Sequence, residues 1–118
     1  MSNPTTGIIV TPTTTSSEWS VDQLVRPGLR RNPRRAHLLV SEVLGKHIPV
    51  EPAVVTDAAN RLADLVLAAV GGLDVDVLGF AETATGLGHC VAAHLGAHCY
   101  LHSTRRHVPG TDVYAEFQ

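Results

Sequence analysis

Aromatic side chains are scarce in this 118-residue sequence, at 4%, with one Trp, two Tyr and two Phe. Its core must then be built from Leu, Val and Ala. Cysteine is equally rare: Cys90 and Cys99 alone exclude a disulfide-stapled scaffold and fit reduced thiols. No apolar run approaches the roughly 20 residues that a membrane-spanning helix needs. The N-terminus, MSNPTTGIIVTPTTTSS, lacks both the charged segment and the long apolar stretch of a secretory leader. The expected protein is soluble and cytoplasmic, with no membrane partner. Neither sign of charge dominates, since nine Lys and Arg stand against eleven Asp and Glu for a formal net charge of -2. That balance argues against a generally nucleic-acid-binding surface, which needs a net basic face. One local exception exists: Arg26, Arg30, Arg31, Arg34 and Arg35 crowd together, reading either as a solvated basic loop or as an anion-attracting rim.

What is present suggests one domain, for which the length suffices. Residues 1–17 are rich in Thr, Ser and Pro and read as a flexible N-terminal arm, leaving 18–118 as the folded part. Segment 19–29 could hold one helical turn, stopped near Pro27-Gly28. A first strand is expected over 36–40, followed by a loop with Gly and Pro at its breaks. Helical spacing then takes over, with Leu62, Leu65, Val66, Ala69 and Val70 on one face. Thr56 or Asp57 is the expected N-cap and Gly71-Gly72 the stop. A largely apolar strand over 75–80 reads as covered on both faces. A second helix is expected over 87–95, closed by Gly96, and a third strand over 99–102. Strand, helix, strand, helix, strand predicts an α/β fold with a mostly parallel sheet and crossover helices. Ligands in such sheets collect beyond the carboxyl ends of the strands. Segments 41–49, 81–89 and 103–110 would lie there. A sheet ending at the third strand would leave an open edge, which predicts either a homo-oligomer such as a dimer or poor solubility.

The segment GFAETATGLGH, residues 79–89, carries the chemistry. Gly86 and Gly88 let backbone approach a ligand, Thr83 and Thr85 supply hydroxyls, and a helix starting near Leu87 supplies free N–H groups. Together these favour an anion, most naturally a phosphate or pyrophosphate. A strand-to-helix turn capped by Thr85 is the alternative without a ligand. Neither the G-x-x-x-x-G-K-[ST] nor the G-x-G-x-x-G pattern is present, because position 91 is Val91. Glu82 would sit beside a phosphate only with Mg2+ or a sugar hydroxyl between them, or would simply face solvent. Lys46 and His47 after the first strand, and Arg105 and Arg106 after the third, could add positive charge over the same spot. Cys90, His94 and His98 are spaced by four, but Gly96 interrupts the helix and no further ligand is evident, so no metal site is expected. No Ser lies in a nucleophile elbow.

The strings RNPRRAHLLVSEVLGKHIPV, GFAETATGLGH and YLHSTRR, in this order, resemble the phosphoribosyltransferase-like proteins associated with bacterial tellurite-resistance and stress-response gene clusters. The resemblance covers about residues 26–118. It implies a type I phosphoribosyltransferase fold, Rossmann-like, that binds phosphoribosyl pyrophosphate with Mg2+ and joins ribose phosphate to a base, releasing pyrophosphate. By this resemblance Glu82, Thr83, Ala84, Thr85, Gly86, Leu87 and Gly88 form the first pyrophosphate-binding loop. Arg105 and Arg106 would open the flexible catalytic loop, and Lys46 is similar to a lysine of the family's extra N-terminal strand. The paired acids and Thr-Thr-Gly-like turn that hold the ribose phosphate in such enzymes have no counterpart here. The expectation is therefore an N-terminal part of the domain, truncated before that motif and with little transferase activity alone. The alternative is a non-catalytic anion- or nucleotide-binding regulatory module.

Overall fold

Proline and glycine bracket the longest element of the structure, a computed structural model that describes residues 2–3, 7–13 and 19–113. The chain forms β1 (Ser2–Asn3), β2 (Ile8–Ile9), α1 (Val21–Leu24), β3 (Val25–Leu29) and β4 (His37–Ser41). It continues through α2 (Pro52–Val70), β5 (Asp76–Gly79), α3 (Thr83–Leu95) and β6 (Cys99–His102). Pro52 opens α2 at a position where the missing N–H costs nothing and the fixed φ already suits a helix. Gly71 ends it at φ 65°, the left-handed conformation that a residue with a Cβ resists. The expected N-caps lie inside instead. Thr56 Oγ1 donates to the Pro52 carbonyl at 3.0 Å, and Asp57 pairs with Arg61 one turn on, so both side chains are occupied within the helix.

The face that α2 buries also differs from the expected one. Ala59 and Ala63 are fully buried, whereas Leu62 and Leu65 are each about 40% exposed. Small side chains on this stripe admit α3 closely, and the core cluster of Ala59, Ala63 and Val91 gathers Leu87, Cys90 and Leu95 around it. Val40, Val43 and Ala92 complete the buried apolar set. Val and Ala therefore dominate the core, and the leucines border it.

The α/β class holds, and β5-α3-β6 is a parallel strand pair joined by a helix. The strands do not, however, merge into one mostly parallel sheet. Among the described residues there are three two-stranded sheets, and β1–β2 and β3–β4 are antiparallel. The segment expected to hold one helical turn does so in α1, but Pro27-Gly28, expected as the stop, lies within strand β3. Pro27 fits that strand because an edge position does not require its N–H. Nor is β5 covered on both faces: Gly79 is buried under α3, while Leu78, Phe80 and the Leu101 paired opposite Leu78 stay about half exposed or more. Of the expected arm, residues 1, 4–6 and 14–17 lie outside the described residues, as do 114–118.

Candidate functional site

Gly79 at the end of β5 lies opposite His102 at the end of β6, so both strands release their chains at the same end of the sheet. Two hydrogen bonds hold the departing segments together. The Ser103 N–H donates to the Gly79 carbonyl at 3.0 Å, and the Ala81 N–H donates to Ser103 Oγ at 2.8 Å. The Ala81–Glu82 peptide bond between them and the helix is cis.

Glu82 is the N-cap of α3, and Thr83 its first residue, so the helix begins four residues before the expected Leu87. This changes what the glycines do. Neither Gly86 nor Gly88 has a positive φ; both are helical. A Cβ on Gly88 would stand 3.0 Å from Tyr100 Cε2 and 3.3 Å from the Gly79 Cα, so this glycine lets helix and strand touch. Gly86 meets nothing within 4 Å, and its missing side chain has no packing cause. The early start also occupies part of the expected amide set. The Ala84 N–H donates to the Phe80 carbonyl and the Thr85 N–H to the Glu82 carbonyl, at 3.0 and 3.4 Å. The N–H groups of Glu82 and Thr83 donate no hydrogen bond among the described residues. They are the amides left without a partner among the described residues at the positive end of the helix.

Lys46 reaches this end from another sheet. After β4, Ser41 Oγ accepts hydrogen bonds from the N–H groups of Val43 and Leu44, turning the chain, and Gly45 at φ 66° reverses it. The Lys46 ammonium then donates to the Thr83 hydroxyl. Beside that contact opens a cleft of about 750 Å³, floored by Leu24, Leu39, Leu62, Leu65 and Leu87, with Thr83 and His47 on its wall. Arg105 and Arg106 are exposed just past β6, where the Arg106 N–H donates to Thr104 Oγ1 at 3.1 Å; neither forms an ion pair among the described residues. The expected residues thus lie at one end of β5–β6, with Lys46 in direct contact. Two contributors went unforeseen. Ser103 stitches the strand ends, and Tyr100 donates its hydroxyl to the Thr85 carbonyl. Ser103 was visible only as the residue that follows the third expected strand, CYLH.

Outside this end, His94 Nε2 lies 2.9 Å from Asp64 Oδ1 and links α3 to α2. Among the described residues no group of three or more His, Cys, Asp and Glu could hold a metal ion. Glu82 is exposed and offers one carboxylate at the helix start. A Mg2+ ion here would take most of its oxygens from a phosphate ligand and water, which is how Mg2+ is commonly held. No helix among the described residues is long and apolar enough to cross a membrane.

A parallel strand pair, a helix between, and polar segments converging at the carboxyl ends define an α/β protein with its accessible polar groups at that end. The particular family follows from the sequence: a family model described as phosphoribosyl transferase matches residues 24–118, and the chain belongs to that family. No curated protein and no solved structure matches it.

Proposed function

We propose that the chain is a phosphoribosyltransferase-like protein of nucleotide or nucleoside metabolism that binds phosphoribosyl pyrophosphate, or pyrophosphate, where Lys46 meets Thr83. The contact between those two residues carries the reading. It brings an ammonium and a hydroxyl to two amides at a helix start that have no partner among the described residues, a combination suited to a multiply charged oxyanion. Arg105 and Arg106, exposed just past the neighbouring strand end, would supply bidentate donors. Gly86 supports the same reading, because a helical glycine costs up to about 1 kcal/mol relative to Ala and this one meets no neighbour that requires it. Its bare backbone leaves room for a ligand beside the first turn. Glu82, which would repel a naked pyrophosphate, would be the residue to hold a Mg2+ ion accompanying the ligand, and that ion would neutralise the phosphate charge. On this reading β5-α3-β6 is the first pyrophosphate-binding unit of a type I phosphoribosyltransferase fold.

Titration calorimetry with pyrophosphate and with phosphoribosyl pyrophosphate, each with and without Mg2+, tests this on wild type, Gly86→Val and Lys46→Ala. Wild type gives measurable heat that grows with Mg2+, and both variants bind at least about tenfold more weakly. Equal heats for all three proteins would remove the site. Measured turnover of phosphoribosyl pyrophosphate with any nucleobase would overturn the expectation that this chain alone has little transferase activity and would exclude a purely regulatory role.

A further inference from the structure

The arginine run, which the proposed site does not use, forms the tip of an ordered β-ribbon. Strands β3 and β4 pair from Val25 opposite Ser41 to Leu29 opposite His37, and the Arg30 N–H donates to the Ala36 carbonyl at 2.9 Å just beyond. Within the turn, Asn32 Oδ1 accepts from the N–H groups of Arg34 and Arg35 at 3.0 and 3.2 Å. Arg30 Nε donates to the Arg35 carbonyl at 2.8 Å. Arg26 is paired with Glu42. Arg30, Arg31, Arg34 and Arg35 are exposed and form no ion pair among the described residues. Segment 23–41 holds five of the nine basic residues of the sequence and none of its eleven acidic ones. The near-neutral total therefore conceals one strongly cationic end.

We propose that this ribbon tip docks on double-stranded DNA, gripping backbone phosphates without reading base sequence. Guanidinium groups match phosphate oxygens in a two-pronged geometry that an ammonium lacks, and all four free cations here are Arg. A two-stranded ribbon fits the major groove of B-form DNA, about 12 Å wide, whereas A-form RNA offers a deep and narrow one. Single strands are held largely by stacking on aromatic rings, and segment 20–48 contains no Phe, Tyr or Trp. Segment 30–36 has no apolar side chain beyond Pro33 and Ala36, so it has little to bury in a bilayer and no anchor for a protein pocket. The acidic remainder of the chain is repelled by the duplex, which orients the tip toward it.

The test is fluorescence anisotropy of the full chain with a labelled 20-base-pair duplex of arbitrary sequence, between 50 and 200 mM salt. Neutralising about four phosphates gives a log-log salt slope of roughly -3 to -4, or on the order of a 100-fold loss of affinity across that range. The double variant Arg31→Gln/Arg34→Gln, with an unchanged circular dichroism spectrum, lowers the magnitude of the slope by about two and weakens binding at 50 mM salt at least tenfold. Absence of binding at 50 mM salt, or unchanged affinity in the double variant, overturns the proposal. So does equal or tighter binding of single-stranded DNA, of duplex RNA or of anionic phosphatidylglycerol vesicles.

Discussion

Tyr100 and Gly88 are in contact, and the phenol of Tyr100 passes beneath the helix to donate its hydroxyl to the Thr85 carbonyl. The absence of a side chain at Gly88 allows that passage. Tyr100→Phe removes one partly buried hydrogen bond and is expected to cost about 1 kcal/mol in denaturant unfolding. Gly88→Ala places a methyl group against both the ring and the Gly79 backbone and is expected to cost about 1–3 kcal/mol. Gly79→Ala is harsher, because its Cβ would lie 2.7 Å from the Ala84 carbonyl oxygen. A Gly79→Ala protein as stable as wild type would refute this account of the strand–helix contact.

Gly86 separates stability from binding. Its Cβ would enter open space on a helix, so Gly86→Ala is expected to raise stability by about 0.5–1 kcal/mol. The same methyl group intrudes where the proposed pyrophosphate lies and lowers its affinity. Thermal unfolding and titration calorimetry on one sample check both signs. A variant that is more stable and binds pyrophosphate as well as wild type would detach Gly86 from the site.

These contrasts mark what was legible in the sequence. The helix stops at Gly71 and Gly96, both left-handed, and strands β4, β5 and β6 were legible because each depends on local signals. Strand β3 was not, because Pro27-Gly28 reads as a break unless the strand is known to pair on one side only. The start of α3 was missed for a related reason. Thr83-Ala84-Thr85-Gly86 is weak in helix propensity, and contacts remote in sequence, Lys46 on Thr83 and Tyr100 on Thr85, attach to that turn. On α2 the leucine periodicity pointed to the wrong stripe, since the packing partner selects for small side chains and the hydrophobic spacing does not register size. The expectation that three strand ends form one rim holds only for β5 and β6, which share a sheet and place Glu82–Gly88 and Arg105-Arg106 just past their ends; β4 belongs to a different sheet. That Lys46 touches Thr83 depends on how the β3–β4 hairpin sits against α3, which no local pattern encodes.

Across the α2–α3 contact, apolar packing should outweigh the polar His94–Asp64 contact. Ala59→Leu inserts three carbons into a site with no accessible surface and is expected to cost about 1–3 kcal/mol or more. Asp64→Ala removes the partner of His94 at a half-solvated position and is expected to cost no more than about 1 kcal/mol. Urea unfolding of both variants decides the ranking, and a larger loss from Asp64→Ala would show that the His94–Asp64 contact holds the helices together.

Ser103 offers the most local test of the strand-end geometry. Its Oγ is the acceptor for the Ala81 N–H, and its own N–H returns to the Gly79 carbonyl, so one residue clamps the segment leading into α3. Ser103→Ala keeps the backbone bond and deletes only the hydroxyl, leaving a partly buried N–H without its acceptor at a cost of about 1–3 kcal/mol. Because the loss is confined to this end of the sheet, opening should be local. Amide hydrogen exchange at Ala81 is expected to accelerate by at least about tenfold, while amides in the middle of α2 keep their wild-type rates. Loosening there also misplaces Glu82 and Thr83, so pyrophosphate affinity falls although Ser103 itself need not touch the ligand. Unchanged exchange at Ala81 would show that the hydroxyl bond does not hold the segment, and a uniform acceleration through α2 would show that the effect is global.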